Sequence, residues 1–232
     1  MLTGGGGYDR LTGDGVNDTL HGEADNDYLY GGLGDDSLTG SDGRDFLQGH
    51  EGADTLDGGA DDDRLYGNDG DDSLTAGAGA DELWGGLGAD TLTGGADLDV
   101  FRGTLLDFAG DTITDFQTGE RIDVSSQDME QARLSVTEAE GDTLLRLDTN
   151  GDGPDETGAV LRVQGVFDGD WVVARGIYSS GYASVFLIPA APYGTVSDGA
   201  DDVALGAGDD ALDALDGADT VYAFSGNDLL AG

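Results

Sequence analysis

The 232-residue chain carries 49 acidic residues against nine arginines, no lysine and no cysteine, for a formal net charge of −40. That balance rules against nucleic acid and disfavours anionic membrane surfaces as partners, since both are held through Lys and Arg, and it favours cations. With 38% hydrophobic residues and 43 glycines, the composition is that of a chain that stays unfolded unless something removes the charge.

In chain order, the first segment is residues 4–102. Asp stands at every ninth position: Asp9, Asp18, Asp27, Asp36, Asp45, Asp54, Asp63, Asp72, Asp81, Asp90 and Asp99. Two residues after each comes an apolar residue, from Leu11 to Phe101, and Gly opens every unit except the one beginning at Ala76. The unit reads G-G-x-G-x-D-x-L-x, clearest at Gly31-Gly32-Leu33-Gly34-Asp35-Asp36-Ser37-Leu38-Thr39. A fixed short period is the mark of a solenoid. The six Gly/Asp-rich residues suit a tight turn, and the last three suit a brief strand with Leu inward. Residues 103–192 lose the period and alternate like strands, as in 111–116 and 143–147. The period returns over 196–231, with Asp201, Asp210, Asp219 and Asp228 at the sixth position. The array starts three residues after Met1 without a capping element or a cleavable leader, which leads us to expect a piece excised from a longer repeat protein.

Two units make one coil of 18 residues, so same-side neighbours are units n and n+2. One column then holds Asp18, Asp36, Asp54, Asp72 and Asp90; the other holds Asp9, Asp27, Asp45, Asp63, Asp81 and Asp99. Coils stack about 4.8 Å apart. Adjacent carboxylates at that spacing repel by roughly 1 kcal/mol even in water. A hard cation between coils reverses the sign. Carboxylates plus turn carbonyls, such as those of Gly31, Gly34, Gly49, Gly52, Gly67, Gly70, Gly85 and Gly88, supply the oxygen shell that calcium takes, whereas magnesium demands tighter geometry. With only His21 and His50 and no Cys, zinc and copper are disfavoured. The first array offers on the order of nine calcium sites. At the fourth position Val16, Asp25, Asp61 and Asp97 replace Gly, which makes the sites around units two and three less regular.

The nonapeptide resembles the RTX calcium-binding repeat, and the two arrays resemble its parallel β-roll. Residues 97–102 and 110–124 (Gly110-Asp-Thr-Ile-Thr-Asp-Phe-Gln-Thr-Gly-Glu-Arg-Ile-Asp-Val124) resemble the region after the roll in serralysin-type metalloproteases and alginate epimerase repeat modules. The resemblance implies type I secretion from a Gram-negative bacterium, unfolded in low calcium and folded outside the cell. The motif is shared by toxins, proteases, lipases, epimerases and adhesins, so it implies calcium binding rather than one activity.

Within the middle segment, Asp148-Thr-Asn-Gly-Asp-Gly153 matches the start of an EF-hand loop, with Asp148, Asn150 and Asp152 as candidate ligands. Ala159 stands where a bidentate Glu is expected, so a polar hairpin turn between strands 143–147 and 159–163 is the competing reading. Asp111, Asp115 and Asp123 are candidates for capping the roll or for a solvated strand face. Trp171, Tyr178 and Tyr182 are candidates for sugar stacking, with core packing the stronger reading. Trp84, His21 and His50 fall at outward, variable positions. The chain has no H-E-x-x-H, no Cys nucleophile and no G-x-S-x-G elbow. Paired carboxylates are so frequent that proximity carries no acid–base information.

The sequence thus predicts an all-β protein: a right-handed parallel β-roll over 4–102, a small β-rich segment over 103–192 and a second short roll over 196–231. Its expected role is a secreted, non-catalytic calcium-binding module without a membrane span. That module supports type I secretion, stability and presentation of a larger protein. The alternatives are a polysaccharide-binding accessory module and a self-associating adhesin or surface-layer segment.

Overall fold

The computed structural model describes residues 1–104, 106–125, 133–148, 160–164, 169–175 and 182–189, and from 190 onward the strands alone. The chain forms two compact units, 1–116 and 117–232. The described residues contain strands and turns and no helix, hence none long and apolar enough to cross a membrane.

The first unit is a parallel β-solenoid. Its strands are β1 (Leu2–Gly6), β2 (Arg10–Asp14), β3 (Thr19–Ala24), β4 (Tyr28–Leu33), β5 (Ser37–Asp42), β6 (Phe46–Glu51) and β7 (Thr55–Ala60). They continue as β8 (Arg64–Asp69), β9 (Ser73–Ala78), β10 (Glu82–Leu87), β11 (Thr91–Ala96), β12 (Val100–Thr104) and β13 (Thr112–Ile113). Odd strands β1 to β13 line one sheet and even strands β2 to β12 the other. Every same-side pair through β12 is parallel and shifted by 18 residues, as in Leu38↔Leu56 and Leu47↔Leu65. Two units therefore make one coil, as the period requires.

The strands are longer than the three residues expected. A six-residue strand such as β5 runs from the seventh position of one unit through the third of the next. The cause lies in the glycines that open each unit. They carry no side chain to hold coils apart, so pairing continues past the Leu, for instance Ser41↔Gly59. The alternation is strict: Leu at position eight and Gly at position one face inward, and their neighbours face out.

The core is accordingly one thin ladder. Leu20, Leu29, Leu38, Leu47, Leu56, Leu65, Leu74, Leu83 and Leu92 are all essentially sealed from solvent. Phe101, Phe108, Ile113 and Phe116 close its C-terminal end, with the rings of Phe101 and Phe116 6.0 Å apart. The two outer faces differ. The odd-strand sheet shows short hydroxyl rows, Thr19, Ser37, Thr55, Ser73 and Thr91. The even-strand sheet carries a ring ladder in which Tyr66 and Trp84 stack at 4.2 Å, and Arg10 and Arg102 lie over Tyr30 and Trp84.

The second unit has antiparallel strands first: β14 (Arg121–Ser125), β15 (Arg133–Ala139), β16 (Asp142–Asp148), β17 (Val160–Val163), β18 (Gly169–Arg175) and β19 (Tyr182–Pro189). β15, β16 and β17 pair in sequence order, and β19 lies between β14 and β18. The strands expected over 143–147 and 159–163 are thus present and paired. Then come β20 (Gly194–Thr195), β21 (Asp202–Leu205), β22 (Ala211–Asp213), β23 (Thr220–Ala223) and β24 (Leu229–Ala231). Here parallel pairing at an offset of 18 returns, as in Val203↔Val221 and Leu212↔Leu230.

Because each coil contributes only two core leucines, one truncation removes half of a layer. Leu56→Ala is expected to cost about 2–5 kcal/mol, whereas Leu33→Ala, at the half-exposed end of β4, should change stability by no more than about 0.5 kcal/mol. Denaturant unfolding of both variants in saturating calcium checks this.

Candidate metal centre

The repeating aspartates form two internal columns, one at each row of turns. Their backbones and side chains are linked by a single rule. The N–H of each Asp donates to Oδ1 of the Asp one coil later: Asp18 to Asp36, Asp36 to Asp54 and Asp54 to Asp72, each 2.7 Å. The other column does the same, Asp27 to Asp45, Asp45 to Asp63 and Asp63 to Asp81, again 2.7 Å. From Asp27 to Asp99 the aspartates are buried, while Asp9 and Asp18 at the first coil are half-buried.

One oxygen per residue is thereby satisfied and the other is not. Oδ2 of Asp18, Asp27, Asp36, Asp45, Asp54, Asp63, Asp72, Asp81, Asp90 and Asp99 is buried without a hydrogen-bond partner. A buried carboxylate oxygen left unpaired is costly, so ten in register call for a cation.

The opening glycines show what lies beside these oxygens. A Cβ built on Gly22 would meet Asp27 Oδ2 at 2.5 Å and the carbonyl oxygen of Gly40 at 2.9 Å. At Gly31, Gly49, Gly67 and Gly85 the same imaginary methyl runs into Oδ2 of Asp36, Asp54, Asp72 and Asp90. Each position-one glycine therefore floors a small cradle, walled by a carboxylate oxygen of its own unit and, from Gly4 through Gly67 except at Gly49, by a carbonyl of the next coil. Gly34, Gly52, Gly70 and Gly88 have φ between +108° and +148°. The carbonyls of Gly34, Gly52 and Gly70 point along the axis at the glycine one coil on. Among the described residues no three His, Cys, Asp or Glu side chains converge as a cluster. The oxygens are one carboxylate per unit plus backbone carbonyls, and this hard, all-oxygen set fits calcium.

One feature favours the capping reading of Asp111 over the solvated strand face, and a second was not read from the sequence. Asp111 prolongs a column: its Oδ1 accepts from the N–H of Asp90 at 2.9 Å, and its Oδ2 is another buried oxygen without a partner. The signal is Asp111-Thr-Ile113, a D-x-apolar triplet arriving 21 residues after Asp90 instead of 18. Asp115 caps the last coil by accepting from the N–H groups of Gly94 and Gly95, and Asp123 pairs with Arg121 at 2.9 Å. The second feature is a rim ladder at position five running in the opposite sense. Asn17 Oδ1 accepts from the N–H of Asp35, Asp35 from Ala53, Asn26 from Arg44 and Asp71 from Ala89.

The remaining candidates divide by place. Asp148 ends β16, while Asn150, Asp152, Tyr178, Asp201, Asp210, Asp219 and Asp228 lie outside the described residues. Of Trp171 and Tyr182 only the strands that carry them, β18 and β19, are described. His50 stacks on Tyr30 at 6.3 Å, and His21 stands in an outer row of the odd-strand sheet.

A family model of the RTX calcium-binding nonapeptide repeat, four copies long, matches residues 3–38, 30–65, 39–74, 66–101 and 196–232. The chain belongs to this RTX family. No curated protein matches the chain.

Electrostatics of the RTX roll follow from the burial. Desolvation is the largest influence on every buried column carboxyl and raises its pKa; the hydrogen bond from the preceding Asp N–H partly offsets this, and like charges add to it. Asp63 and Asp111 are pushed up to about 8, Asp72 to about 7, and Asp45, Asp81, Asp90 and Asp99 to about 6.

Without metal, the folded roll therefore binds more protons than the unfolded chain between the ordinary value of 3.8 and about 8. Its stability is greatest below that window and is lost as pH rises through it. Metal-stripped protein in chelator is expected to gain β-structure as pH falls from about 8 to 5, read by far-UV circular dichroism. Calcium affinity should fall over the same range, because protons compete for Oδ2. A chelated protein whose β-signal falls on acidification would contradict the assignment of buried, charged columns.

Proposed function

We propose that the chain is a structural calcium-binding module whose folding is driven by extracellular calcium, and which supports the secretion, stability and presentation of a larger protein. The observation that carries this is the double column of buried Oδ2 atoms. In this reading calcium is held by the column aspartates from Asp9 to Asp99 and Asp111, with turn carbonyls of Gly31, Gly34, Gly49, Gly52, Gly67, Gly70, Gly85 and Gly88. Asp201, Asp210, Asp219 and Asp228 serve the second array, and Asp148, Asn150 and Asp152 a separate loop. Calcium supplies positive charge between coils; the residues orient their oxygens and hold the coils in register.

A net charge of −40 with a core one leucine wide per strand supports a chain that stays unfolded where calcium is scarce. RTX repeats are typically found in secreted proteins, which supports an extracellular setting and export by type I machinery. We assign the chain no catalytic role of its own.

A second reading, binding of polysaccharide, rests on the even-strand face. A groove of about 680 Å³ there is lined by Tyr8, Tyr28, Arg44, Phe46 and Arg64 among others. All four arginines of the first unit lie on this side. Against it, Tyr66 and Trp84 are stacked face to face at 4.2 Å and so cover each other rather than a sugar.

Asp72→Asn is expected to lower the number of calcium ions bound and raise the calcium concentration at the folding midpoint. Asp57→Asn, on the exposed outer row, should leave both unchanged. Titration calorimetry checks this, and an Asp72 variant indistinguishable from the parent would count against the proposed ligand set. Glycan binding in saturating calcium, abolished by Phe46→Ala with Arg64→Ala, is the result that would favour the second reading.

A further inference from the structure

One unit of the roll opens with alanine where the others open with glycine, and that residue is Ala76. At each of the glycines from Gly4 to Gly94 that open a unit, a Cβ would lie closer than 3.0 Å to Oδ2 of the unit's own Asp, for example 2.8 Å at Gly4 and Gly13 and 2.5 Å at Gly22. Two heavy atoms do not coexist at that separation, so something would have to shift. At Ala76 the Cβ is real, and the Asp of its unit is Asp81.

The surroundings leave few ways to make room. The Ala76 backbone stands where the repeat puts it: its carbonyl oxygen is 2.6 Å from the place of a Cβ on Gly58, the distance that the Gly31 carbonyl keeps at Gly13. The residues on either side hold their register with both neighbouring coils, Thr75 with Asp57 and Thr93, and Gly77 with Gly59 and Gly95. The Asp81 carboxylate is clamped by its other oxygen, since Oδ1 accepts from the N–H of Asp63 at 2.7 Å, as Asp45 and Asp63 do from the coils before them. Ala76 and Asp81 are both sealed from solvent, so neither side chain swings outward. The atom left to yield is Asp81 Oδ2, buried and without a hydrogen-bond partner like its equivalents. Glycine is the more costly residue to order in a strand. The other units accept that cost for the room it leaves beside Oδ2, and Ala76 gives the room up.

We propose that Ala76 is an affinity-setting residue: its methyl group narrows the Asp81 cradle and makes it the weakest calcium site of the column running from Asp9 to Asp99. Calcium gathers 6–8 oxygens around itself, and a methyl at the floor of the cradle keeps Oδ2 from the place it takes in the other units. This site fills last and empties first. Strand β9, which carries Ala76, is then the joint at which the roll opens as calcium falls, with loaded coils on both sides. The inference rests on the calcium reading above.

The test is the variant Ala76→Gly in the full chain, which restores the repeat. Calcium is titrated by competition with a chromophoric chelator, and folding is followed by far-UV circular dichroism. The weakest site of the parent should tighten by about tenfold in the variant, the factor that relief of one overpacked methyl supplies, and the folding midpoint should move to lower calcium. A purely structural Ala76 predicts the opposite sign: loss of its methyl loosens strand and core, and the midpoint moves to higher calcium. Amide hydrogen exchange gives a second reading. Below saturating calcium, β9 of the parent should exchange faster than β5 of the same sheet, and Ala76→Gly should abolish the difference. A midpoint that is unchanged or raised in the variant, or a β9 that exchanges no faster than β5, would overturn this inference alone. A parent that binds no calcium fails the calcium reading itself.

Discussion

The structure depends on ten buried carboxylate oxygens, stacked coil on coil in two columns, that no hydrogen-bond donor among the described residues pairs. Each Asp gives one oxygen to the backbone of the coil before it, and that bond fixes the register of the whole solenoid. The same bond withdraws the residue from water and leaves the second oxygen exposed to its like-charged neighbours. The element that aligns the coils is therefore also the element that opposes their approach. A cation in each turn would resolve both sides of the conflict.

The other features of the roll follow from how close the coils must come. Glycine opens every unit but the one at Ala76, because the carboxylate oxygen and, in most coils, a carbonyl of the next coil occupy the place of its Cβ. The leucine ladder is thin because strands from two sheets meet over a single residue per unit. Such a core buries too little to order a chain this rich in glycine by itself. The outer faces are free of these demands, which is why one can carry hydroxyl rows and the other a ladder of rings and arginines on the same backbone.

Much of this was legible in the sequence, and the reason is that an unbroken period needs no further information. Nine residues fix the unit, two units fix the coil, and the Asp and Leu columns follow. The strand lengths were not legible, since pairing past the leucine runs through glycines that carry no side-chain signal. Asp111 was read as a candidate cap but not as a column member, because the three extra residues before it break the count, although its D-x-apolar triplet repeats the motif. The rim ladder escaped because Asn17, Asp35 and Asp71 alternate with residues such as Ala53 and Ala89 that only donate from their backbone. The candidate ligands in 149–159 and the aspartates of the second array lie outside the described residues, and there the reading still rests on spacing alone.

The central claim is that calcium, by occupying the carboxylate columns, supplies the free energy of folding. The most direct measurement is the hydrodynamic radius and far-UV circular dichroism of metal-stripped protein at neutral pH as calcium is added, with magnesium as the control. The account predicts a cooperative collapse from coil to β-structure in calcium and none in magnesium at the same concentration. A chain already compact and β-folded in chelator, unchanged by calcium, would contradict it.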